Sequence, residues 1–245
     1  MGLISLQGKT ALVTGAARRL GRAITQALAA EGASVVLHYR DSEAEAEALR
    51  QELAAAGTQA WTIQADLTDA AELEALVPRA MELAGGVDLL VNNASAFPPG
   101  TLEDLTLDSL TQNLAINAWA PFVLSRALHG SAARGSIVNL VDSHAVGYDW
   151  GHVGYLLSKQ ALASLTRMMA LAFAPAFTVN AVAPGLILPP EGQDESYFAA
   201  LIRNVPLRKH GDAEDIAAGV VFLLRSDFIT GATLFVDGGW HLKQT

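Results

Sequence analysis

Tyr155 and Lys159 stand four residues apart in the segment GYLLSKQALASL, and the chain holds only three further tyrosines and three further lysines. On a helix that separation puts both side chains on one face. A phenol with a reference pKa of ~10 exchanges protons poorly at neutral pH. A nearby ammonium favours the phenolate and lowers that value. The pair therefore reads either as an acid/base unit or as a surface pair on an amphipathic helix, and its own spacing leaves both open.

The elements that would position the pair alternate along the chain. Short β-branched runs, TALVT, ASVVLHY, QAWTIQA, VDLLVNNA, GSIVNLV and FTVNAVAP, read as strands buried on both faces. Longer Ala/Leu-rich segments lie between them, from RLGRAITQALAAEG to LDSLTQNLAINAWAPFVLSRALHG and GHVGYLLSKQALASLTRMMALAF. This order predicts an α/β fold, a single doubly wound parallel sheet of Rossmann type with helices on both faces. Its ligand belongs beyond the C-terminal ends of the strands. No linker tract or repeat interrupts the pattern, so residues 1–245 read as one dinucleotide-binding and catalytic domain. The irregular stretch Gly185 to Ser196, GLILPPEGQDES, is expected to be a mobile substrate lid, with a surface loop as the alternative.

Composition narrows the partners. A formal charge of −9 over 245 residues argues against nucleic acid or an anionic membrane, which select for a basic face. Cysteine is absent, which excludes disulfides and thiolate metal sites. The uncharged stretch MMALAFAPAFTVNAVAPGLILPP is broken by Pro175, Asn180, Pro184 and Pro189 and does not read as a membrane span. MGLISLQGKT does not read as a signal peptide. The expectation is a soluble cytoplasmic protein acting on a small molecule.

A nucleotide site is visible at the first strand-to-helix turn, TGAARRLGR. Gly15 would allow a tight turn and Gly21 a close helix–sheet approach, with the pyrophosphate on the helix N-terminus. An NAD-selective site carries an acidic residue at the end of the second strand. Here Tyr39 occupies that place and Arg40 follows. Arg40 and Arg19 would attract a 2′-phosphate, since a guanidinium fork bonds two oxygens at once. This predicts NADPH, with Arg18 open to being a plain surface residue and Asp41 placed to pair with Arg40. Leu20, His38 and Ser42 join the cofactor set by their positions in the same segments. Asp66 and Leu67 in QADLT would meet the adenine, and Asn93 and Ala94 in VNNASAF the ribose; Asn92 could instead tie strands together.

The glycine turn, NNA, an Asn in the fourth helix, a polar residue thirteen before the tyrosine, YLLSK, NAVAPG and a terminal VDGG occur in one order. That order resembles the short-chain dehydrogenase/reductase superfamily over essentially the whole chain. The resemblance implies that Tyr155 is the proton donor, that Lys159 holds the nicotinamide ribose and tunes Tyr155, and that Asn117 supports a water relay. It also implies that Pro184, Gly185 and Ile187 lie along the nicotinamide, and that the protein is a homotetramer joined through the helices of Asn117 and Tyr155. Two positions depart from the pattern. Pro189 stands where a threonine is usual, and Asp142 stands where the superfamily has its catalytic serine.

An ionised Asp142 would oppose an alkoxide forming from a ketone. Two like charges ~4 Å apart cost about 4 kcal/mol at an effective dielectric of ~20, comparable with what an oxyanion stabiliser supplies. Asp142 could be protonated, Ser143 could take its place, or the substrate is not a simple ketone. A C=N bond needs a proton on nitrogen, which an acid coupled to Tyr155 can supply. TGAARRLGR, LHYRDS, NNASAF and LVDS are similar to the pteridine reductase and dihydromonapterin reductase subgroup. That similarity implies that Phe97 stacks the pterin against the nicotinamide, with Ser95 and Arg19 reaching substrate or cofactor phosphate and Asp142 with Tyr155 delivering protons. A 3-oxoacyl-[acyl-carrier-protein] or other ketone reductase is the first alternative, and a non-catalytic NADP sensor the second. His144 and His152 flank the tyrosine without a third metal ligand at useful spacing, so no metal is expected; a pocket wall or helix cap is.

Overall fold

The computed structural model describes residues 3–189, 192, 194 and 196–243. Its strands are β1 (Thr10–Val13), β2 (Ser34–Tyr39), β3 (Ala60–Gln64), β4 (Leu89–Asn92), β5 (Gly135–Leu140), β6 (Phe177–Pro184) and β7 (Thr233–Val236). They form one parallel sheet in the order β3-β2-β1-β4-β5-β6-β7. The chain steps outward from β1 to β3 and then returns to the other side of β1 with β4. Between β1 and β4 a crevice opens at the strands' C-terminal ends.

The helices are α1 (Arg19–Ala30), α2 (Glu43–Ala55), α3 (Ala70–Ala84), α4 (Leu107–Leu114), α5 (Ala120–Ser131), α6 (Val153–Ala172), α7 (Ser196–Leu201) and α8 (Ala213–Leu224). Successive strand residues point to opposite faces, and the core divides accordingly. Ala11, Val13, Val35 and Leu37 pack with Ile24 and Leu28 of α1, Leu49 of α2, and Ile216 and Val220 of α8. Leu12, Val36 and Leu90 pack with Leu73 and Leu76 of α3, Leu124 and Leu128 of α5, and Met169 of α6. Strands enclosed on both sides have no polar face, which is why their sequences read as continuous apolar runs.

The predicted doubly wound sheet is therefore the observed one, with two differences. β7, α7 and α8 extend it beyond the six strands and five helices expected. The segment Leu107 to Gly130, expected as one helix, is interrupted by a π-helical turn at Ala115–Trp119. Pro121 has no amide to offer the carbonyl four residues back, that of Asn117, and its ring crowds that carbonyl. The wider turn places Asn117 inward, fully buried. The lid expectation falls partly on residues 190, 191, 193 and 195, outside the described residues; residues 186–188 line a cavity described below.

Candidate active site

The nucleotide crevice is built from backbone turns held by buried polar side chains. Gly15 takes φ +62°, a left-handed conformation that costs glycine nothing. A Cβ on Gly21 would lie 2.0 Å from the Gly15 carbonyl oxygen, so the close approach is to the loop itself rather than to the sheet. Thr14 Oγ1 accepts from the amides of Asn93 and Ala94, and Asn93 Nδ2 donates to the carbonyls of Thr14 and Gly15. The Gly15 amide donates to His38 Nδ1, so the proton sits on Nε2, which donates to the Ala65 carbonyl. Burial holds His38 down to about 4, against partial opposition from the Ala65 bond and the Asp66 charge. His38 is thus a neutral strut under the glycine loop.

Above this frame lies a cavity of about 480 Å³, lined by Gly15, Arg18, Arg19, Tyr39, Arg40 and Asp66, and also by Leu20, Gly21, His38, Ser42, Leu67 and Ala94. No side chain caps α1 at Arg18, which leaves the first-turn amides free for an anion. Asp66 uses Oδ1 on Thr68. Arg40 gives its Nε to Asp41 at 2.6 Å, as the sequence anticipated, and Arg18 lies 3.9 Å from Glu45. Arg19 takes φ +52° and donates to the Pro189 carbonyl at 2.6 Å, spanning this cavity and the next. An uncapped helix end, a left-handed glycine turn and paired guanidiniums fit a dinucleotide phosphate.

A second cavity, of about 460 Å³, adjoins the first and contains Tyr155, Lys159, Asp142, Phe97 and Ser95, with Pro184, Gly185 and Ile187 along one wall. The Tyr155 hydroxyl donates to Asp142 Oδ2 at 2.9 Å. Ser143 is fully buried, its hydroxyl has no partner, and it does not line the cavity. Lys159 is buried on the same face of α6, its Nζ 5.6 Å from the Tyr155 ring centre and donating to the Leu140 carbonyl at 2.7 Å. Burial lowers Lys159 to about 8, partly offset by Asp142.

Two expected roles change. Burial raises Tyr155 well above its ordinary value, helped by the charge and hydrogen bond of Asp142. The expected lowering by Lys159 is overridden, and Tyr155 is held as a proton-bearing phenol. The Asn117 side chain makes four bonds to protein. Its Oδ1 accepts from Ser95 Oγ and the Ala96 amide, and its Nδ2 donates to the Ala96 carbonyl and Ser158 Oγ. That amide clamps the loop after β4 and offers no free group to a water relay. Asn92 ties β4 to β5 through Asn139 and to α5 through Ser125.

Aromatic rings crowd the cavity. Phe97 stacks on His152 with ring centres 3.9 Å apart and meets Tyr155 edge-on at 4.6 Å. His152, in the N-cap position of α6, is held by Asp149. Tyr148, Trp150, Tyr197 and Trp240 also line it, and none of them was read from sequence as a site residue. The tract GYDWGH, placing aromatics in the loop just before Tyr155, was the available signal.

A family model described as enoyl-(acyl carrier protein) reductase matches residues 15–241. The chain belongs to the short-chain dehydrogenase/reductase superfamily. In this superfamily the cofactor is a nicotinamide nucleotide, in keeping with the crevice. A short-chain dehydrogenase/reductase from Serratia marcescens is 37% identical, with 97% of this chain and 99% of that chain covered and a TM-score of 0.91. FolM alternative dihydrofolate reductase 1 from Brucella suis, solved in complex with NADP, is 33% identical, covering 97% and 96%, with a TM-score of 0.92. The 3-oxoacyl-[acyl-carrier-protein] reductase FabG of Staphylococcus aureus is 32% identical over 252 residues, 96% of this chain and 98% of its own.

Proposed function

We propose that this protein is an NADPH-dependent reductase of a pterin-type heterocycle, taking a dihydropterin, dihydrofolate or dihydromonapterin to the tetrahydro form. The observation that carries the reading is the Asp142 carboxyl bonded to the Tyr155 hydroxyl inside the cavity, with Ser143 turned into the core. A carboxylate beside a forming alkoxide is repulsive, whereas beside a ring nitrogen it sustains proton delivery. The exposed face of Phe97 and the surrounding rings suit a flat heteroaromatic substrate. The likeness to a dihydrofolate reductase solved with NADP supports the same assignment.

The nicotinamide, when bound, supplies a hydride to carbon. Tyr155, kept as a phenol by burial and by Asp142, protonates the adjacent nitrogen. Lys159 presents its ammonium to the ribose hydroxyls, and Pro184, Gly185 and Ile187 form the wall along the ring. Arg19 and Arg40 hold the 2′-phosphate, and Arg40 keeps its two terminal nitrogens for it while Nε engages Asp41. Asp66 takes the adenine amino group on its second oxygen. The assembly is a homotetramer joined through α4, α5 and α6, with outward apolar side chains that include Met168 and Leu171 of α6 and Trp119 of the π-helical turn.

The second reading is carbonyl reduction, favoured by the likeness to the Staphylococcus aureus 3-oxoacyl reductase. Initial rates of NADPH oxidation with a dihydropterin and with an acetoacetyl thioester separate the two. A higher kcat/KM for the dihydropterin is expected. A clear preference for the thioester overturns the assignment, and NADPH binding with turnover of neither identifies a sensor.

A further inference from the structure

The loop between β5 and α6 places one more ionisable ring against the reactive pair. Asp142 is engaged on both oxygens. Oδ2 accepts from Tyr155, while Oδ1 accepts from the His144 amide at 2.7 Å and faces His144 Nδ1 at 2.9 Å. Opposite an ionised carboxylate, Nδ1 carries a proton. The His144 and Asp142 side chains keep 21% and 22% of their surface exposed, whereas Tyr155 is buried. The Asn117 side-chain amide spends all its bonds on protein, and Lys159 gives one of its N–H bonds to the Leu140 carbonyl.

We propose that His144 resupplies the proton that Tyr155 gives to substrate, passing it through the Asp142 carboxyl. His144 acts through Asp142 and does not touch the reacting atoms. The proposal rests on the reading that Tyr155 protonates the substrate. In one turnover the substrate carbon gains a hydride and the adjacent nitrogen gains the Tyr155 proton. His144 Nδ1 first protonates the Asp142 carboxylate at Oδ1, the neutral carboxyl rotates to bring that proton to the phenolate left behind, and Tyr155 takes it. Tyr155 and Asp142 each gain and lose one proton. His144 ends neutral with its bare nitrogen at Nδ1, and a turn of the partly exposed ring lets water protonate that nitrogen.

The groups facing the imidazole favour its charged form. Asp142 comes from the end of β5, Asp149 from the following loop and Asp237 from the turn after β7; Trp240 lays its ring edge-on at 4.5 Å. His241 is itself held by Asp237, and Tyr155 and Lys159 lie behind Asp142 on α6. Burial lowers the His144 pKa, but the Asp142 hydrogen bond and the charges of Asp142, Asp149 and Asp237 outweigh it and raise the value overall. The ring therefore holds its proton to higher pH than a free histidine and loses it as pH rises further.

His144→Asn keeps a donor for Asp142 but cannot titrate. In rapid-mixing experiments with NADPH and a dihydropterin, its first turnover is expected to stay fast. Later turnovers should slow on the order of 10²-fold, the scale of a lost proton transfer, leaving a burst of one product per site. The alkaline limb of the kcat profile should vanish, and added imidazole should restore rate. A variant with the wild-type pH profile, or one slowed without a burst or imidazole rescue, overturns the proposal. Independently of turnover, NMR titration of His144 in the cofactor-free protein is expected to show a lower pKa in Asp142→Asn; an unchanged titration also overturns it. Wild-type protein that reduces no dihydropterin refutes the functional reading instead, and the NMR result then decides the His144 link alone.

Discussion

The Tyr155 hydroxyl lies 2.9 Å from Asp142 Oδ2, while the adjacent Ser143 is buried with its hydroxyl unpartnered. The backbone at the end of β5 thus presents the acid, not the alcohol, to the cavity. Asp142→Ser tests what that choice is for. Dihydropterin turnover is expected to fall on the order of 10²-fold, as when a group assisting proton transfer is removed. NADPH affinity should change little, because Asp142 does not line the nucleotide crevice. Turnover of an acetoacetyl thioester should rise as the carboxylate's repulsion is removed. Steady-state kinetics with both substrates and a fluorescence titration of NADPH measure all three; undiminished dihydropterin turnover would contradict the assignment.

Asp41 and a bound 2′-phosphate would compete for the Arg40 guanidinium. The Arg40–Asp41 pair is exposed, so it contributes little to stability, but it sits where a 2′-phosphate would bind. Arg40→Ala is expected to raise the Kd for NADPH about 10-fold or more, the loss of one charge-assisted contact, with NADH hardly affected. Asp41→Asn should act in the opposite direction and tighten NADPH. Parallel titrations with the two nucleotides check both; equal loss of NADPH and NADH in Arg40→Ala would remove Arg40 from the phosphate site.

The sheet was legible because enclosed strands must be apolar throughout, and FTVNAVAP matches β6 residue for residue. β7 was not, since TLFV is partly exposed at every position, unlike the equally short β1 and β4. α8 was missed although Asp212, just before AEDIAAGVVFLL, and Asp215 in its first turn form a capping box, an available start signal. In the site, residue types pointed to Tyr155, Lys159 and Asp142, but not to the balance among them. Whether Lys159 or Asp142 governs the phenol depends on which lies closer and on how deeply the ring is buried. Asn117 shows the same limit: its position was readable, yet its four partners come from the loop after β4 and from α6. Tyr148, Trp150 and Trp240 converge from segments ninety residues apart in chain order, and only the fold brings them together.

His38 makes stability depend on pH. Its folded value is about 4 against an ordinary 6.5, because burial disfavours the charged ring. Between these values the unfolded chain binds a proton that the folded protein does not. The stability it supports is therefore present above pH ~6.5 and lost as pH falls towards ~4, by about 3 kcal/mol at most. His38→Gln removes the titration and should flatten that part of the profile. Urea unfolding of both proteins between pH 7 and pH 4.5 measures the difference; parallel profiles would mean that His38 is not buried neutral.

Arg19 takes φ +52°, a conformation that a residue with a Cβ adopts at a cost of about 1 kcal/mol and glycine adopts freely. The loop accepts that strain at a residue that lines both cavities and bonds the Pro189 carbonyl. Arg19→Ala and Arg19→Gly separate conformation from charge. Both remove the guanidinium, so both should weaken NADPH to a similar degree. Only glycine relieves the backbone, so Arg19→Gly should be more stable than Arg19→Ala by about 1 kcal/mol, less the extra freedom that glycine gives the unfolded chain. Urea midpoints and NADPH titrations on the two variants decide it. An alanine variant as stable as or more stable than the glycine one would place residue 19 outside the left-handed region. Unaltered NADPH affinity in both would show that Arg19 serves the Pro189 contact rather than the phosphate.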